Sequence, residues 1–85
     1  MPDRQMITRV QTGVRLEKRL LKVLKGLAEY KEMSLGDLLE GIVLHIFEGK
    51  LPFSDETLEK VAALKAVYGL DLDASSSHRL EEKEG

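Results

Sequence analysis

Thr8-Arg9-Val10-Gln11-Thr12-Gly13-Val14-Arg15-Leu16 is the stretch on which the fold turns. Thr8, Val10, Thr12, Val14 and Leu16 share one parity, and Arg9, Gln11, Gly13 and Arg15 share the other. Successive strand side chains point to opposite faces, so this alternation predicts a short β-strand. One face would be apolar or β-branched, the other basic and amide-bearing. No second segment of the chain reads as a strand. A lone strand leaves rows of backbone N–H and C=O groups without partners. The expected partner is the same strand of a second copy, which gives a homodimer joined by a two-stranded antiparallel ribbon.

Everything downstream reads as helix or tail. A first helix is expected over about Glu17 to Glu32, where Leu20, Leu24, Leu27 and Ala28 recur at helical spacing and Lys18, Lys22, Lys25 and Glu29 fall on another face. Its start has no Ser, Thr, Asp or Asn directly before it, and only Glu17 favours the positive helix end. Gly26 inside it costs roughly 1 kcal/mol against Ala, for which a close backbone crossing is one explanation. The second helix is better marked. Ser34 is a good N-cap, Asp37 stands three residues on, Met33 and Leu38 fit a hydrophobic staple, and Gly49 stops the helix.

Between those limits Leu35, Leu38, Leu39, Ile42, Val43, Leu44, Ile46 and Phe47 leave almost no polar face. A helix apolar nearly all round is buried nearly all round, and 85 residues make one small domain with too little chain to cover it. The dimer expectation thus has a second, independent support. Its core would comprise Val10, Thr12, Val14 and Leu16 of the strand, Leu20 and Leu24 of the first helix, and Leu38, Leu39, Ile42 and Ile46 of the second.

After the connector Leu51-Pro52-Phe53, Ser54 caps a third helix that Gly69 ends. The stretch from Asp71 to Gly85 is polar and acidic, carries Ser75-Ser76-Ser77, and is expected to be disordered. The fold class expected is therefore mainly α with one short N-terminal β-strand. Residues 1–50 would form the main domain, 51–70 a helical extension and 71–85 an acidic tail.

Bulk properties narrow the function. The chain has no cysteine, which removes disulfide scaffolds and thiolate metal sites. No apolar run has the length of a signal peptide or a membrane span, so a soluble cytoplasmic protein is the default expectation. The net charge of −2 averages two unlike parts. Residues 1–33 hold eight cations and four anions, net +4, whereas residues 34–85 hold five cations and eleven anions, net −6. Such asymmetry hints at a basic binding face and an acidic remainder. His45 and His78 are far apart, and no phosphate loop, zinc-ligand spacing or Ser/His/Asp grouping stands out, so neither an enzyme nor a metal or cofactor is expected.

The basic parity of the strand offers more. A two-stranded ribbon fits the major groove of B-DNA. There Arg15 would donate two hydrogen bonds to guanine and Gln11 would pair with adenine, with Arg9 as an additional contact. Lys18 and Lys22 at the start of the first helix would face the phosphate backbone. Equally, Arg9, Gln11 and Arg15 would serve simply to keep an exposed strand soluble.

The order of short strand, helix, tight connection and Ser-capped helix resembles the ribbon-helix-helix family of dimeric DNA-binding repressors. The resemblance covers about residues 8–49, through Thr12-Gly13-Val14-Arg15-Leu16, Glu17-Lys18-Arg19-Leu20-Leu21 and Ser34-Leu35-Gly36-Asp37-Leu38-Leu39. It implies that Gln11, Gly13 and Arg15 occupy the three base-reading positions, and that the backbone amides of Ser34, Leu35 and Gly36 hold a phosphate. Two positions depart from the family pattern. The middle base-reading position is normally polar and here is Gly13; the residue two before the capping serine is normally glycine and here is Glu32. The function implied is a sequence-specific transcriptional regulator of repressor type, with itself and double-stranded DNA as partners. The competing expectation is a protein-interaction module or antitoxin that binds a protein through residues 51–85.

Overall fold

The computed structural model describes residues 4–83. Three helices follow in order: α1 (Lys18–Tyr30), α2 (Leu35–Phe47) and α3 (Asp55–Tyr68), with a short 3₁₀ turn at Ala74–Ser76. Among the described residues there is no β-strand, and this overturns the expected strand and ribbon. Residues 4–16 run outside any helix, and no backbone hydrogen bond ties them to the rest of the described chain. The physical reason lies in what a strand is. Alternation of side chains orders faces, but only a ladder of backbone hydrogen bonds makes a strand, and this chain supplies no second segment for it. The fold is mainly helical.

α1 begins one residue later than expected and ends two residues earlier. Glu17 is its N-cap: the carboxylate accepts a hydrogen bond from the Leu20 backbone N–H at 2.9 Å. Capping thus comes from a residue outside the usual Ser/Thr/Asp/Asn set. α2 and α3 start as the sequence predicts. Ser34 Oγ accepts from the Asp37 N–H at 3.1 Å, and Ser54 Oγ from the Thr57 N–H at 3.2 Å.

All three helices close in the same way. After α1, the Met33 N–H reaches back to the Ala28 carbonyl and the Glu32 N–H to that of Glu29. After α2, Lys50 reaches His45 and Gly49 reaches Ile46; after α3, Leu70 reaches Lys65 and Gly69 reaches Ala66. Each is a Schellman ending, which needs a left-handed residue just past the helix. Gly49 and Gly69 take that conformation at φ 71° and 66°, and Glu32 takes it at φ 56°.

α1 and α3 pack antiparallel. Lys22 lies over the Tyr68 ring, the side chain of Leu64 sits against Gly26, and Lys60 lies over the Tyr30 ring at 4.6 Å. Each four-residue step along α1 meets a four-residue step back along α3, the pattern of interlocking i, i+4 ridges. A Cβ on Gly26 would stand 3.0 Å from Leu64 Cδ2, so this glycine lets the two helices approach. The core is small: Leu27, Ala28 and Leu38 are buried, and Leu24, Ile42, Phe53, Val61 and Leu64 pack around them. α3 is packed on α1 more extensively than α2 is.

Beyond α3 the described chain continues into the acidic C-terminal stretch, most of whose described residues are exposed. Leu70 is buried, and Asp73 caps the 3₁₀ turn by accepting from the Ser75 N–H at 2.9 Å while Ser76 Oγ accepts from the Asp73 N–H. Within the tail Leu72 is half-buried and, with Leu70 just before it, lines a cleft together with Leu20 and Val61. Among the described residues no helix is long and apolar enough to cross a membrane.

Candidate functional site

The side chains singled out by sequence lie in three places: the N-terminal arm, the first turns of α1, and the start of α2 beyond the opposite end of α1. Gln11, Gly13 and Arg15 all lie exposed on the arm, and a Cβ added at Gly13 would stand in open space. Lys18 and Lys22 follow on exposed positions of α1. Ser34 and Gly36, at the N-terminus of α2, are exposed and Leu35 is half-buried. That helix start concentrates positive backbone charge, but Ser34 already uses its hydroxyl on Asp37.

The arm is held by ion pairs rather than by a ladder. Arg9 makes a two-pronged contact with Glu40 of α2, Nε to Oε2 at 2.9 Å and Nη2 to Oε1 at 2.8 Å, and its Nη2 also lies 3.3 Å from Asp37 Oδ1. The hydrogen bond from Arg9, with its charge, holds the Glu40 carboxyl below the ordinary glutamate range. Arg15 donates from Nε to Glu82 at 3.1 Å and also from Nη2 to the same carboxylate oxygen. Both pairs are exposed, and exposed pairs stabilise little and weaken with salt.

A third arginine joins α1 to the end of α3. Arg19 donates to the Gly69 carbonyl and to Asp71, each at 3.0 Å, and to Glu17 at 3.1 Å. A cation on the last carbonyls of α3 also complements the negative helix end. Glu17 is held below the ordinary glutamate range, first by the Leu20 N–H and then by Arg19.

The apolar residues assigned to a dimer core divide into two groups. Leu38 is buried in the chain's own core, while Leu20, Leu24, Leu39 and Ile42 are half-buried. Val10, Val14, Leu16 and Ile46 are exposed, as is Thr12. Val43, Leu44 and Phe47 of α2 are exposed as well, and a hollow lined by Ile7, Leu39, Glu40, Val43 and Leu44 lies between the arm and α2. The chain exposes 7802 Å², against about 5,100 Å² expected of a compact monomer of its mass.

The carboxylates that meet the arginines were not found by sequence reasoning. Arg9 is 28 and 31 residues from its partners and Arg15 is 67 from Glu82. No local spacing encodes such pairs. His45, by contrast, sits where helical periodicity puts it, exposed on α2, with Nδ1 donating to the Gly41 carbonyl at 2.7 Å. Comparison of the chain with protein-family models, with curated proteins and with solved structures finds no match in any of the three.

Proposed function

We propose that this chain is a homodimeric, sequence-specific DNA-binding regulator that acts as a repressor. The observation that carries the proposal is the exposed arm 4–16, whose Gln11 and Arg15 are solvent-accessible and adjoin the exposed cations Lys18 and Lys22. Gln and Arg are the side chains that read adenine and guanine by paired hydrogen bonds, each pair discriminating by roughly 1–3 kcal/mol. Lysines at the start of α1 suit phosphate contacts, which fix orientation without reading sequence. Of the order on which the ribbon-helix-helix resemblance rests (short strand, helix, tight connection, Ser-capped helix), the strand is absent among the described residues, while α1, its Schellman turn and the Ser34-capped α2 are present and support the same reading. So does the uncovered apolar surface of Val10, Val14, Leu44, Ile46 and Phe47, which suits a second copy.

Anisotropy titration with random-sequence duplex DNA at several salt concentrations tests it. Affinity should fall as salt rises, each neutralised phosphate adding roughly 0.9 to the log–log slope. Arg15→Ala should flatten the preference among sequences more than it lowers general affinity. No binding at low salt would refute the proposal. Light scattering at micromolar concentration should return twice the 9.6 kDa chain mass, and a folded monomer would remove the dimer from it.

A further inference from the structure

Glu82 occupies Arg15, the side chain proposed to read a base, and three features of the C-terminal segment bring it there. Leu70 is buried beyond the end of α3 and anchors the segment on the helices. Asp71 then pairs with Arg19 at 3.0 Å, near the first turn of α1 and four residues beyond Arg15. The capped turn at Ala74–Ser76, continued by the Arg79 N–H bonding to the Ser76 carbonyl, turns the chain so that Glu82 meets the Arg15 guanidinium from its Nε side and its Nη2 side together. The carboxylate thus engages two of the five guanidinium donors, the Nε and Nη2 pair through which a guanine or a phosphate could be held, and brings a negative charge against the group. Glu81 stands beside Glu82 in sequence but forms no ion pair among the described residues.

We propose that the C-terminal segment is an intramolecular competitor for nucleic acid. Glu82 stands in for a phosphate or base acceptor at Arg15 and lowers the chain's own affinity for DNA. The inference rests on the DNA-binding reading and deepens it, because it assigns a regulator of the same site. An exposed ion pair has a small free energy, so the inhibition is graded: its release corresponds to about a two- to fivefold gain in affinity at low salt. The gain shrinks as added salt screens the pair.

The test compares full-length chains carrying Glu82→Ala, Glu81→Ala, Arg15→Ala and the pairs Arg15→Ala/Glu82→Ala and Arg15→Ala/Glu81→Ala, by anisotropy on random-sequence duplex DNA at low salt. The two glutamate variants change net charge equally, so general electrostatics moves both alike. The expected result is a two- to fivefold tightening for Glu82→Ala beyond that of Glu81→Ala, and no such difference in the Arg15→Ala background. Equal affinities of Glu82→Ala and Glu81→Ala would overturn the competitor while leaving DNA binding in place. A gain that persists without Arg15 would do the same. Failure of every variant to bind duplex at low salt would overturn the DNA reading and the competitor with it. Circular dichroism on each variant establishes that the helices are intact.

Discussion

Replacing Glu32 by glycine should stabilise the fold, although it removes a side chain. Glu32 holds φ at 56° because the Schellman ending of α1 demands a left-handed residue there. The same position after α2 and α3 is filled by Gly49 and Gly69. A side chain in this conformation costs about 1–2 kcal/mol from the clash between Cβ and the carbonyl oxygen. Glycine removes that cost but loses more conformational freedom on folding, about 0.5–1 kcal/mol. The net expectation for Glu32→Gly is a gain of about 0.5–1 kcal/mol. With a urea slope near 1 kcal/mol/M for so short a chain, the midpoint rises by about 0.5–1 M at unchanged slope. Far-UV circular dichroism during urea titration reads it, at one fixed chain concentration so that any self-association is held constant. Glu32→Ala separates geometry from charge, since it removes the carboxylate and keeps the strained backbone. The explanation is refuted if Glu32→Ala stabilises as much as Glu32→Gly, or if Glu32→Gly lowers the midpoint.

Three further perturbations follow from the packing and the carboxylates. Leu27, only 1% exposed at the centre of the core, should lose about 2–5 kcal/mol on conversion to alanine; a loss below 1 kcal/mol in urea titration would show that the core collapses around the site. Gly26→Leu should destabilise by about 1–3 kcal/mol, since even a Cβ there stands 3.0 Å from Leu64, and an unchanged midpoint would mean that α1 and α3 separate without cost. Acid should also weaken the fold. Glu17 and Glu40 have folded-state values depressed by the Leu20 N–H and by Arg9 respectively, so their contribution is complete above the ordinary glutamate range and is lost as pH falls through the lowered values. Thermal melts should show Tm declining through that acid window, with a shallower decline in Glu17→Gln; a Tm flat from neutral to acid pH would contradict it.

The helices were legible in the sequence to the extent that their signals are local. Ser34 and Ser54 act within three residues, and Gly49 and Gly69 end helices because of their own backbone freedom, so reading them needs no knowledge of the rest of the chain. Glu17 as a cap and Glu32 as a left-handed ending were missed because both residues more often serve elsewhere, and here the surrounding hydrogen bonds impose the role. The alternation over Thr8 to Leu16 was read as a strand. Side-chain parity is a property of the segment, whereas a ladder is a property of two segments, and only the first is written locally. The candidate site divides along the same line. Gln11, Arg15, Lys18 and Lys22 are exposed, as their polarity implies, but the pairing of Arg9 with Glu40 and of Arg15 with Glu82 depends on how α2 and the C-terminal segment return to the arm.

The arm's lack of backbone hydrogen bonds to the rest of the described chain has a consequence for timescale and affinity alike. Its amides should exchange with solvent at close to peptide rates, while those around Leu27 wait for larger openings of the helices. Any partner that fixes the arm must order its backbone at about 1–2 kcal/mol per residue, so contacts made by residues 7–16 deliver far less affinity than their number implies. In return, an extended segment reaches further before docking and is captured from more directions. Fast association and short residence are the kinetic character this gives the surface.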